Sequence, residues 1–81
     1  MNPMELKVAR IRRGKTKGDM ARLFGITDAA WTKREQGQTR MSVDEAVKIS
    51  RFLGLSESEF VTIFFDGVLP FGKLSENISV S

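Results

Sequence analysis

Cysteine and histidine are both absent from these 81 residues. Without cysteine there is no disulfide framework and no thiolate metal site, and without histidine there is no imidazole to ligate a metal or act as a general base at neutral pH. Long apolar runs are missing too: none approaches the ~20 residues needed to span a bilayer, and no basic-then-apolar signal segment opens the sequence. The length leaves no room for a second domain or for a cleft between two. The glycine pattern Gly14 to Gly18 lacks the Lys-Ser/Thr that completes a phosphate-cradling loop. Catalysis would rest on carboxylates and lysines alone. These absences predict a soluble cytoplasmic protein that is not an enzyme, takes no cofactor or metal, and does not engage a membrane.

What is present is charge, and it is unevenly placed. The formal net charge is +3, but residues 1–40 hold ten Lys and Arg against four acids, a net of +6, while residues 41–81 hold three against six, a net of −3. Such polarity suits a module that turns its amino-terminal half toward phosphates and keeps the other half away from them. Ordinary solvated charge gives the same tally, so a motif must decide between the two.

Helix starts are marked by capping boxes, in which a side-chain acceptor and an acid three residues later satisfy free amides of the first turn. Four candidates appear: Asn2 with Glu5, Thr16 with Asp19, Ser42 with Glu45, and Ser56 with Glu59. Pro3 occupies a first helical position, where its missing N–H costs nothing. Thr27 is a fifth capping residue, with Ala30 where the acid would stand. Gly14, Gly25, Gly37 and Gly54 fall where left-handed carboxy-terminal residues belong. Five helices are expected, at about 3–13, 17–24, 28–36, 43–53 and 57–65. Their apolar residues follow helical spacing: Met20, Leu23 and Phe24; Ala46, Val47, Ile49 and Leu53; Phe60, Ile63 and Phe64. Leu55, just before the Ser56 cap, can pack on Phe60 as a hydrophobic staple. Gly18, in the first turn of the second helix, weakens that helix by roughly 0.5–1 kcal/mol relative to alanine. The fold class is all-α.

Between Thr16 and Gly37, three residues stand at the spacing of a helix, a tight turn and a second helix. Ala21 is small where the helices cross, Gly25 can take the positive φ that ends the first helix sharply, and Trp31 anchors the second. With a basic amino-terminal half, this helix-turn-helix signature points to double-stranded DNA as the partner.

Over residues 4–65 the chain resembles the phage repressor and Cro-like class of regulators, the Xre family. The resemblance rests on Leu6 and Arg10, the run from Thr16 to Thr27, then Trp31, Glu35 and Gly37, and finally Ile49, Leu53, Gly54 and Leu55. It implies a compact five-helix, lambda-repressor-like helix-turn-helix domain over residues 1–66, with a short carboxy-terminal tail over 67–81. It further implies a structural ion pair between Arg10 and Glu35, and a third helix seated in the major groove. With Trp31 facing inward, the base-reading positions are Asp28, Ala29, Thr32 and Lys33. Lys33 can donate to guanine O6 or N7, Thr32 can donate, accept or place its methyl on thymine, and Ala29 can touch a thymine methyl. Asp28 either accepts from cytosine N4 or serves as a first-turn carboxylate favoured by the helix dipole. The family commonly carries longer side chains there, so two alanines in this helix shift specificity toward apolar contacts and duplex shape.

Lys17, Thr27, Gln36 and Arg40 match family positions that touch the sugar-phosphate chain, at helix starts and in a loop where free amides and cations favour phosphate. Lys15, Arg12 and Arg13 extend that surface, with a solvated-face reading open for Arg12. Arg13 and Arg34 stand where relatives often carry apolar residues; their stems are expected to lie over the core, with Arg34 in reach of the Trp31 ring.

One such module reads few base pairs, so a homodimer on half-sites about one turn, ~34 Å, apart is expected. Candidate contacts are Phe60, Val61, Phe64, Phe65, Val68, Leu69 and Phe71, which exceed one buried stripe; alternatively they complete the domain's own core. Asp66-Gly67 either turns a short hairpin or ends the fifth helix. Residues 74–81, serine-rich and without periodicity, are expected to be mobile. The leading reading is a transcriptional repressor or Cro-like regulator of phage or mobile-element origin. The runner-up is an antitoxin-type protein of the same fold, whose carboxy-terminal apolar surface binds an unidentified protein partner.

Overall fold

The computed structural model describes residues 1–65, which form five helices and no strand: α1 (Pro3–Arg12), α2 (Lys17–Phe24), α3 (Asp28–Glu35), α4 (Val43–Leu53) and α5 (Glu57–Phe65). Each begins at an expected capping residue. Asn2 Oδ1 accepts from Glu5 N, and Thr27 Oγ1 accepts from Ala30 N. Thr16 with Asp19, Ser42 with Glu45, and Ser56 with Glu59 form complete boxes, the hydroxyl accepting from one backbone N–H while the carboxylate accepts from the other. The cap backbone N–H is the main reason all three carboxylates are held below their ordinary range, Glu59 at about 2.

The stops are equally local. Gly25 has φ 65°, and the following amide, Ile26 N, donates back to the Ala21 carbonyl at 3.0 Å, the closing bond of a left-handed helix end. Gly54 repeats this with Leu55 N on the Ser50 carbonyl, 2.9 Å. Gly14 and Gly37 take the same left-handed conformation.

The core gathers one apolar stripe from each helix: Leu6 and Ala9 of α1, Met20 and Ala21 of α2, Trp31 of α3, Ile49 and Leu53 of α4, and Ile63 of α5. Leu6, Met20, Trp31 and Ile49 are fully buried. Near the amino terminus, Asn2 N donates to the Ile63 carbonyl, fastening the entry of α1 to α5. Phe24 and Trp31 stack with centroids 6.1 Å apart and an interplanar angle of 9°.

Arg34 meets a different ring from the expected Trp31. Trp31 is sealed, so the Arg34 guanidinium sits 5.6 Å from the Phe24 centroid, and it pairs with Glu45 of α4. Lys48 of α4 lies 5.3 Å from the same centroid. No helix among the described residues is long and apolar enough to cross a membrane.

Candidate nucleic-acid interface

Three residues, Gly25, Ile26 and Thr27, separate α2 from α3. The left-handed glycine and the threonine cap fix where α3 starts, and its packing fixes how it is turned. Trp31 and Glu35, one turn apart, are both buried, while Asp28, Ala29, Lys33 and the adjoining Gln36 are exposed. One side of α3 is therefore committed to the domain, and the other presents three of the four expected base-reading residues to solvent. The fourth, Thr32, is half-buried on the same arc, its hydroxyl donating to the Asp28 carbonyl at 3.0 Å.

The orientation is held by a polar cluster at the back of α3. Arg10 Nε donates to Glu35 Oε2 at 2.7 Å, Arg10 Nη2 donates to Oε1 at 3.3 Å, and Trp31 Nε1 donates to Oε2 at 3.2 Å. The third guanidinium nitrogen donates to the Lys15 carbonyl at 2.9 Å. Arg10 thus ties α1, the turn after it and α3 into one unit, with both ionic groups almost wholly buried. Among the described residues no buried side-chain nitrogen or oxygen lacks a partner.

The expected phosphate contacts divide into two groups. Lys17, Thr27, Gln36 and Arg40 are exposed, and Lys17 and Gln36 border one concavity together with Lys7 and Met4. Lys15 and Arg13 are engaged within the domain instead. The Lys15 ammonium lies 5.0 Å from the Phe52 centroid. Arg13 donates through Nε to the Leu53 carbonyl at 3.1 Å and through Nη2 to Glu59 Oε1 at 2.8 Å, so its charge belongs to the α1–α5 junction. Lys7 is a member of this surface that the sequence reading misses. Its signal is its place one turn before Arg10: if Arg10 reaches the end of α3, a cation three residues earlier stands beside that end.

At Gly18 the two helices of the motif start close together. A side chain there would meet Arg22 Nη1 at 3.5 Å and Asp28 Oδ2 at 3.8 Å, ordinary contacts that leave room for a methyl group. Arg22 pairs with Asp19 on the exposed side of α2.

On α5, Val61 is buried, a correction to its expected place among contacts with another copy; α5 lies against α1 and turns Val61 and Ile63 inward. Phe60, Phe64 and Phe65 are half-buried, with Phe60 5.3 and 5.7 Å from the other two rings. Val68, Leu69, Phe71 and the Asp66-Gly67 pair lie outside the described residues.

A family model described as a helix-turn-helix domain matches residues 4–61, well over half of the chain. No similar curated protein and no similar solved structure was found. With the matched span running from α1 into α5 and containing the α2–turn–α3 unit, the chain belongs to the helix-turn-helix domain family, a family of DNA-binding modules.

Proposed function

We propose that the chain is a sequence-specific transcriptional regulator of the repressor and Cro type, with residues 1–66 as its DNA-binding unit, acting as a homodimer that lays α3 of each copy in the major groove. The observation that carries this reading is the division of α3. Trp31 and Glu35 are locked inward, while Asp28, Ala29 and Lys33 face solvent on a helix whose width suits the groove. Lys33 donates to guanine, the Thr32 methyl and Ala29 meet thymine methyls, and Asp28 accepts from cytosine N4. Lys17, Thr27, Gln36 and Arg40 hold the sugar-phosphate chain, with Lys7 added beside Lys17. Arg13, held by the Leu53 carbonyl and Glu59, takes no part.

The test is selection of bound duplexes from a random-sequence pool, followed by titration of the selected and a scrambled duplex at several salt concentrations. Recovery of a palindromic motif, with the selected duplex bound at least ~10³-fold tighter than the scrambled one, is expected. No association with any duplex at low ionic strength would overturn the reading. A small protein co-purifying in place of a second copy would move it to the antitoxin type.

A further inference from the structure

The side of α4 opposite the core has an unusual symmetry. Ala46, Ile49 and Leu53 are buried, and at about 3.6 residues per turn the opposite face carries Asp44, Val47, Lys48 and Arg51. Asp44 and Arg51 are exposed, lie close to one line along the helix, and have no ion-pair partner among the described residues. They are separated by nearly two turns, about 10 Å of helix axis, with Val47 between them. Shallow grooves run along both sides of this face: Leu23 and Phe52 border one, Leu55 and Phe60 the other, and Val47 and Arg51 are common to both.

We propose that this face is where two copies of the chain meet, α4 packed antiparallel on α4 about a twofold axis beside Val47. A twofold contact must be complementary to itself. Reversing the helix about the midpoint between Val47 and Lys48 brings Asp44 onto the partner's Arg51, and Arg51 onto the partner's Asp44, while Val47 meets the partner's Val47. A parallel pairing would set acid on acid and base on base. Lys48 does not crowd the axis, because its ammonium is drawn over the Phe24 ring. α4 by itself offers too little area for a stable dimer, which needs about 1,000 Å² or more of total burial, and the flanking apolar residues Leu23, Phe52, Leu55 and Phe60 extend it. This inference names the surface for the dimer part of the reading above and rests on that part, not on the assignment of DNA contacts.

The test is sedimentation equilibrium of the full chain as wild type, as Asp44→Arg, as Arg51→Asp, and as an equal mixture of the two variants, with circular dichroism to verify folding. The wild type is expected to dimerise, and each charge reversal to weaken association about tenfold or more by setting like charges together at both ends. The mixture should recover association close to wild type, because opposite charges then meet at both ends of a mixed dimer. If a reversal unfolds α4, the milder pair Asp44→Asn and Arg51→Gln should each weaken association by about threefold with the fold intact. A wild type that stays monomeric overturns both this interface and the dimer reading. Dimers indifferent to all four substitutions, or a mixture no better than its components, overturn the interface alone. Duplex binding measured in parallel reports separately on the DNA reading.

Discussion

The indole N–H of Trp31 donates to Glu35 Oε2, the same oxygen that accepts Arg10 Nε. The largest apolar side chain in the core and the one buried carboxylate among the described residues are thereby joined across a single turn of α3, and whatever disturbs the arginine disturbs the seat of the tryptophan. Arg10→Met leaves the carboxylate buried with a single neutral donor and is expected to cost about 3–5 kcal/mol. Adding Glu35→Leu should return a large part of that loss, since the stranded charge goes with it. Equilibrium urea unfolding of the single and double variants measures both; a double variant as unstable as Arg10→Met would show that the charge is not what costs.

The outer face of α3 and the start of α2 are expected to respond differently to truncation. Lys33→Ala should reduce discrimination between the selected and a scrambled duplex by ~1–3 kcal/mol, the worth of one base-edge contact. Lys17→Ala should weaken binding to both duplexes alike and lower the salt slope by about one. Fluorescence anisotropy at four salt concentrations separates the two, and identical behaviour of the variants would mean the reading face is misassigned.

Acid should destabilise the domain in a definite window. Glu59 accepts from Ser56 N and from Arg13, which hold its carboxyl at about 2 against an ordinary 4.5. Because the folded value is depressed, the stabilisation is fully present above the unfolded value and is lost as pH falls from about 4.5 toward 2. Asp19 and Glu45, lowered by their own caps, act in the same direction. Glu59→Gln should be less stable than wild type at pH 7 and lose less stability across that window, as read from thermal midpoints. Parallel pH curves for the two proteins would contradict this.

Two glycines of the motif should respond to alanine with opposite sign. Gly25 sits at φ 65° with no atom within 4 Å of the place an added methyl group would take, so Gly25→Ala meets no clash and only backbone strain, about 1–2 kcal/mol. Gly18 has no such φ and has space for a methyl group, so Gly18→Ala is expected to stabilise by up to about 1 kcal/mol. Thermal unfolding of the two variants checks both signs.

What is legible in the sequence is what depends on near neighbours along the chain. A cap and its acid are three residues apart, and a left-handed glycine closes the turn it ends, so all five helices fall within a residue of their expected ends. The Ala21–Gly25–Trp31 spacing likewise marks the turn. Contacts between distant segments are a different matter. Arg34 finds Phe24 and Glu45, and Arg13 finds Leu53 and Glu59, through the packing of helices whose mutual orientation no local spacing encodes. Val61 reads as surplus apolar surface because α5 carries more such residues than one stripe requires; which of them turns inward depends on where α1 lies. The indole bond to Glu35 is within reach of the sequence, since positions i and i+4 on a helix are neighbours, but the bulk of Trp31 hides its polar edge.

A helix held along one side by Trp31, Arg34 and Glu35 leaves its opposite side unconstrained by the scaffold. Asp28, Ala29 and Lys33 carry almost none of the domain's packing, so a lineage can exchange them and address a new target while the frame beneath stays as it is. Divergence should therefore collect on that strip, and any two descendants that share the Trp31–Glu35–Arg10 lock would differ first in what they read.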